Sequence, residues 1–356
     1  MPVMLLTGFL GSGKTTVLNR LLKRADMATT AVIVNEFGEV GLDHVLIERS
    51  SGDTVLLASG CVCCTMRDDL SATLTQLMLQ RIQGEIPPFQ RVIIETTGLA
   101  DPAPILHMLM TDPPVAARYR LGGVVATVDA VNGSATLDRQ MEGVKQAAVA
   151  DRLLVTKTDI AAPAQTAALC ARLAALNPGA RMIAVVDGAV APADLFDIGL
   201  YNAETKSLDV QNWLRAETYA DAGHSNHGHE PECDERDCSE HGHAHSHTAR
   251  AAHRHDHGIQ SFCIVRDQPV SWAAFSNWLE ILSEWRGDDL LRVKGIVNIA
   301  ERPGQPVVIH GVQRIFHPPV LLERWPSDNQ RTRIVFVTRN IDRAAIEATL
   351  HAFEQA

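Results

Sequence analysis

The sequence predicts a doubly wound, mostly parallel α/β domain followed by a smaller α+β domain, and three observations carry that expectation. Short β-rich runs alternate with helical stretches over the first 200 residues, the pattern of a parallel sheet with crossover helices. From residue 221 to 258 the chain turns almost entirely to His, Gly, Ala, Ser and charged residues, with no apolar periodicity. Beyond that stretch a second, mixed pattern of strands and amphipathic helices begins. The expected limits are 1–205 for the first domain, 206–258 for a linker with a His-rich insert, and 259–356 for the second domain; a chain of 356 residues is long enough for two cores.

In the first domain, strands are expected at 2–7, 31–35, 54–58, 91–95, 123–129, 152–156 and 182–186. Most are near-continuous apolar runs, as a strand covered on both faces requires. Helical segments at 15–24, 68–83 and 164–176 repeat their apolar residues at three- and four-residue spacing. In the second domain the expected order is a strand at 260–265, a helix at 272–285, strands at 290–299, 306–310, 312–317 and 333–337, and a helix at 342–353. The apolar start has no basic leader and runs straight into a glycine-rich loop, so it reads as a buried first strand and not as a signal peptide. No apolar run approaches the roughly 20 residues that cross a bilayer, so no membrane partner is expected. A net charge of −10 argues against a nucleic-acid partner, which needs a basic stripe.

Gly8-Phe9-Leu10-Gly11-Ser12-Gly13-Lys14-Thr15 fits the phosphate-loop pattern G-x-x-x-x-G-K-[ST], placed between an expected strand and an expected helix. Glycines let backbone N–H groups converge on phosphate oxygens, and the following helix points its positive end at them. Lys14 is expected to reach the β- and γ-phosphates, the Thr15 hydroxyl to ligate Mg²⁺, and Thr16 to bond the α-phosphate. Glu95, at the end of the strand at 91–95, suits Mg²⁺ through a water, and the Gly98 amide suits the γ-phosphate as a nucleotide sensor. Thr156-Lys157-Thr158-Asp159 ends another strand with a T-K-x-D pattern. Asp159 can accept from guanine N1 and N2, a donor pair that adenine lacks, while the Lys157 stem covers the base; GTP is the expected nucleotide.

Cys61, Cys63 and Cys64 crowd three of the seven cysteines into four positions. Adjacent thiols pair poorly as a structural disulfide, so the cluster suits a reducing compartment, the cytoplasm, and a metal. Thiolates take Zn²⁺ at about 2.3 Å in a tetrahedral shell, which leaves one position for a His, a carboxylate or water. Glu36 and Glu39, after the second strand, are the candidates. Soft sulfur favours Zn²⁺ or Cu⁺, with Co²⁺ and Ni²⁺ also open. Cys170 and Cys263 are expected to pack in the core, and His44, His107, His310, His317 and His351 to be polar or packed surface groups.

Together these motifs resemble the CobW-like family of P-loop metal-handling GTPases. The resemblance rests on Thr7–Thr16, the Val34–Asp43 stretch, Gly60-Cys61-Val62-Cys63-Cys64, Glu95–Pro102, Thr156–Asp159, the His-rich insert and the C-terminal pattern. It implies GTP hydrolysis coupled to delivery of zinc or cobalt to a client metalloprotein. Some zinc-delivering members carry a Cys-Pro-containing segment before the first strand; only Met1 and Pro2 precede it here, which speaks against a methionine aminopeptidase client. A homo-oligomer stays open. The alternatives are a metal buffer or sensor whose nucleotide site only regulates, and a P-loop phosphotransferase. Ten of the fifteen histidines fall in 221–258, with Cys233 and Cys238 nearby, a density that fits several weak, exchanging metal sites on a tether. Such a segment buries too little apolar surface to offset its ordering entropy and is expected to be disordered without metal.

Overall fold

The computed structural model describes residues 1–35, 56–58, 66–196 and 258–354. Among them the N-terminal part forms seven strands, β1 (Pro2–Gly8), β2 (Thr30–Asn35), β3 (Leu56–Ala58), β4 (Arg91–Thr96), β5 (Arg120–Asp129), β6 (Arg152–Thr156) and β7 (Arg181–Val185). All pair in parallel, in the order β3-β2-β4-β1-β5-β6-β7. The helices are α1 (Lys14–Leu22), α2 (Met66–Gln83), α3 (Ala103–Thr111), α4 (Pro113–Ala116), α5 (Gly133–Arg139), α6 (Met141–Val149), α7 (Pro163–Leu176) and α8 (Pro192–Phe196).

The apolar runs explain the layers. Successive residues of one strand point to opposite faces. Val3 and Leu5 of β1, with Ile33, Val92 and Ile94, pack on α2 and α3 through Leu74, Leu77, Leu106 and Leu109. Met4 and Leu6 bury on the other face against Val17, Leu18 and Leu21 of α1. The doubly wound expectation holds. Helix α1 ends at Leu22, earlier than the expected 24, because Ala25–Met27 tighten into a 3-10 turn.

The C-terminal part is an antiparallel sheet of β8 (Ile259–Arg266), β9 (Leu290–Val297), β10 (Val307–Val312), β11 (Ile315–Phe316) and β13 (Thr332–Arg339), with β12 (Val320–Leu321) beside β10. Helices α9 (Trp272–Arg286) and α10 (Arg343–Glu354) cover one face. Phe262, Ile264, Val293, Ile309, Ile334 and Phe336 alternate inward there and meet Phe275, Trp278, Leu282, Ile346 and Leu350. The two strands expected at 306–310 and 312–317 are corrected. β10 runs on through Val312, which pairs with Ile315 across a turn whose Gln313 takes a left-handed φ of 53°. The turn carries neither Gly nor Asn at that position, so its usual sequence signal is missing.

The second face of this sheet carries Arg292, Lys294, Arg333 and His310, all buried, and meets the N-terminal part. Arg292 and Lys294 both donate to Asp151 Oδ1, the latter at 2.5 Å, and Val124 N donates to Asp151 Oδ2 at 2.8 Å. Burial by itself would raise the Asp151 carboxyl, but the Arg292 and Lys294 cations hold it well below the usual range. His107 Nε2 also bonds Val312 O across the two parts, at 2.8 Å.

His310 is thus not the surface group its sequence context suggests, because its strand lies against another domain. Burial first, then the neighbouring Lys294 and Arg292, hold its imidazole well below the usual value, against the opposing pull of Asp151. The native state therefore keeps it neutral, while the unfolded chain takes up a proton as pH falls through about 6.5. Stability is complete above that pH and falls below it by about 1.4 kcal/mol per pH unit from this group. Urea unfolding between pH 7 and 5.5 should show that loss, and His310→Gln should lose about 1 kcal/mol less over the same interval. Equal slopes in the two proteins would rule this histidine out as the source. Cys263 is buried as expected, its thiol pushed up to about 11 by that burial, whereas Cys170 is only half-buried at the edge of its cluster.

Candidate functional site

The site forms where β1, β4, β5 and β6 end. Parallel strands leave their C-terminal ends on one side, and the loop after β1 crosses that edge before α1 begins. Gly8 takes a φ of 142°, and a Cβ there would stand 2.2 Å from Thr127 Oγ1, so only glycine lets the loop lie this close to β5. Gly11 and Gly13 also carry positive φ values. Side chains from neighbouring strand ends fix the loop: Ser12 Oγ meets Thr127 Oγ1 at 2.6 Å, and Thr156 Oγ1 donates to Ser12 O at 2.7 Å. Lys14 is buried and its ammonium donates to the carbonyls of Gly8 and Phe9, at 2.9 and 3.3 Å. Thr16 stands exposed on the first turn of α1.

Thr15 Oγ1 donates to Glu95 Oε1 at 2.8 Å, although the two lie 80 residues apart in the chain. This hydroxyl and carboxylate form a hard oxygen pair of the kind Mg²⁺ takes, next to a loop built for phosphate. Gly98 lies against the loop itself: a Cβ there would be 2.6 Å from the Leu10 backbone nitrogen.

At the other end of the site, Lys157 has a left-handed φ of 58° and its ammonium pairs with Asp129 Oδ2 at 2.7 Å. Asp129 closes β5 and also accepts from Val131 N and from the Asn132 backbone and side-chain amides. Its burial favours the neutral acid, but the Lys157 and Asn132 hydrogen bonds win and hold it below the usual carboxylate range. Asp159 is exposed at the rim. A cavity of about 220 Å³ beside the loop is lined by Phe9, Ser12, Thr127, Asp129, Gln146 and Lys157, among others.

The structure therefore brings Gly8, Gly11, Ser12, Gly13, Lys14, Thr15, Thr16, Glu95, Gly98, Thr156, Lys157 and Asp159 to one edge of the sheet. Glu36, Glu39, Cys61, Cys63, Cys64 and all of the His-rich stretch except Gly258 lie outside the described residues. Two residues at the site were not singled out from the sequence. Asp129 ends a strand just as Glu95 does, so the same strand-end reasoning finds it. Gln146 has no local signal, because it sits in an otherwise ordinary helix.

The family model for the CobW/HypB/UreG nucleotide-binding domain matches residues 2–184, and that for the cobalamin synthesis protein CobW C-terminal domain matches 259–354. Zinc chaperone YjiA of Escherichia coli is 31% identical over 97% of this chain and 96% of its own length. Zinc-regulated GTPase metalloprotein activator 1 of Schizosaccharomyces pombe is 27% identical over 96% of this chain and 83% of its own. The crystal structure of Zn(II)-bound YjiA GTPase from E. coli is similar over 99% of this chain and 98% of that one, with a TM-score of 0.68 and 27% identity. A zinc-bound YjiA in which one glutamate and two cysteines are alanine matches equally, with a TM-score of 0.68. With a nucleotide-binding domain that carries its phosphate loop after β1 and a C-terminal domain that follows at 259, the chain belongs to the CobW family.

Proposed function

We propose that this protein is a GTP-hydrolysing metallochaperone that takes a transition metal, zinc before cobalt, at Cys61, Cys63 and Cys64 and passes it to a client metalloprotein. The observation that carries the reading is the convergence of the Thr15 hydroxyl and Glu95 carboxylate under a phosphate loop that also touches Gly98. The relatives named above are zinc chaperones and zinc-regulated GTPases, which supports both halves of it.

In this reading the loop amides and Lys14 hold the phosphates, and Thr15 and Glu95 hold Mg²⁺, which neutralises charge on the phosphate oxygens when bound. Lys157 lies along the base with its ammonium fixed by Asp129, and Asp159 accepts from the guanine edge. Three thiolates between the phosphate loop and Glu95 in the sequence suit a cargo site that responds to the nucleotide. If GTP tightens metal binding, metal tightens GTP binding by the same factor, and hydrolysis releases the cargo.

Zinc titrations with a non-hydrolysable GTP analogue, with GDP and with neither test the reading. The analogue should tighten the first zinc equivalent, and alanine at Cys61, Cys63 and Cys64 together should remove that nucleotide-sensitive equivalent. Total bound zinc is the wrong readout, since a YjiA variant lacking two cysteines and a glutamate still crystallises with zinc. A triple variant that keeps the same nucleotide-sensitive affinity would show the cysteines to be structural.

A further inference from the structure

We propose that α6 couples the loop beside the phosphate site to the C-terminal sheet, with Gln146, within the helix, as the positioning residue that holds the loop. The proposal rests on the guanine-nucleotide reading above and extends it to the second domain.

Gln146 is 1% exposed, and its Nε2 donates to two carbonyls of the loop after β4, Ala100 O at 2.9 Å and Gly98 O at 3.2 Å. Its Oε1 is buried with no hydrogen-bond partner among the described residues. A buried amide that leaves one end unsatisfied is costly, and an apolar residue of the same size would pack in α6 without that cost. The feature that sets glutamine apart here is its hold on the loop. The preceding residue adds a second hold: Lys145 Nζ donates to Asp101 Oδ2 at 2.6 Å. Two consecutive residues of one helix thus grip both ends of the stretch that begins at Gly98, whose backbone touches the phosphate loop.

The C-terminal turn of α6, which includes Gln146 itself, reaches the second domain within a few residues. Asn177 Nδ2 donates to the carbonyls of Ala147, Ala148 and Ala150, at 2.9, 3.0 and 2.8 Å, and so ties down the last turn. Ala148 packs on Leu291 of β9 and Val337 of β13. Asp151 follows directly and takes Arg292 and Lys294 of β9. Gln146 and Ala148 lie within one turn of each other, at about 3.6 residues per turn, so a displacement at one is felt at the other. A shift of the Gly98 loop towards a γ-phosphate must therefore either break the Gln146 bonds or displace α6 relative to β9. By reciprocity, the seating of β9 on Ala148 and Asp151 biases the loop between its GTP and GDP positions.

The test uses the full-length protein with Mg²⁺ and either a non-hydrolysable GTP analogue or GDP. In the wild type, hydrogen exchange across 290–297 should differ between the two nucleotides. Gln146→Leu should erase that difference and lower the analogue-to-GDP affinity ratio by about tenfold, the worth of one or two net hydrogen bonds. The ratio and not either affinity alone is the readout, because the loop is gripped for the γ-phosphate. Lys145→Met, outside the core, should act in the same direction by about threefold and decides the matter if Gln146→Leu misfolds. A helix that serves only as packing would lower the melting temperature and leave the ratio intact in both variants, and that result overturns the proposal. A wild type that binds both nucleotides with β9 indifferent to them overturns the coupling alone. A chain that binds neither overturns the guanine-nucleotide reading and the coupling with it.

Discussion

Lys14→Ala is expected to reduce GTP turnover by at least about 100-fold, the cost of removing one preorganised charge from a transition state. The ammonium already sits inside the phosphate loop, held by the carbonyls of Gly8 and Phe9, so no rearrangement of the fold is needed to present it. Charge on the transferred phosphoryl group spreads over its equatorial oxygens, and a fixed cation there acts on the transition state more than on bound GDP. Single-turnover hydrolysis measured beside GDP binding separates the two effects. GDP binding should weaken far less than turnover. Turnover within a few-fold of wild type would show that Lys14 serves only to shape the loop.

Asp159→Asn is expected to weaken GTP by about 100-fold or more and to bring xanthosine triphosphate close to the wild-type affinity for GTP. A carboxylate accepts from both guanine N1 and N2, and hydrogen bonds to a charged group contribute about 1.5–3 kcal/mol each. Asparagine replaces one acceptor with a donor, which suits the carbonyl that xanthine carries in place of the guanine amine. The residue is exposed at the rim, so the substitution leaves the core undisturbed. Competition binding with GTP, ATP and xanthosine triphosphate reads the result. A wild type with equal affinity for ATP and GTP, or a variant unchanged towards GTP, would sink the guanine assignment.

The sequence by itself determined the features that are local or periodic. The phosphate loop is contiguous, its glycines are demanded by backbone geometry, and the strand before it and helix after it are written in apolar spacing. Glu95 could be paired with Thr15 across 80 residues because Glu95 sits at the end of β4 and Thr15 opens the helix after β1, and parallel strands deliver their ends to one edge. The order of strands and helices in the C-terminal α+β domain was legible in outline, but its antiparallel pairing was not stated by the sequence and its turn at Gln313 was not visible, since that residue takes a left-handed conformation without a glycine to announce it. Only the tertiary structure decided which polar groups of one domain face the other. Asp151, Arg292 and Lys294 are separated by 141 and 143 residues, and nothing in their neighbourhoods distinguishes a buried triad from exposed charges. The same holds for Gln146, whose partners at Gly98 and Ala100 lie 48 and 46 residues away, and for His310, which becomes buried only because its strand rests on a second domain. A pattern of apolar spacing states which face of an element is covered by its own core. It carries no record of what docks on the polar face, because that depends on surfaces that meet only after both domains have folded.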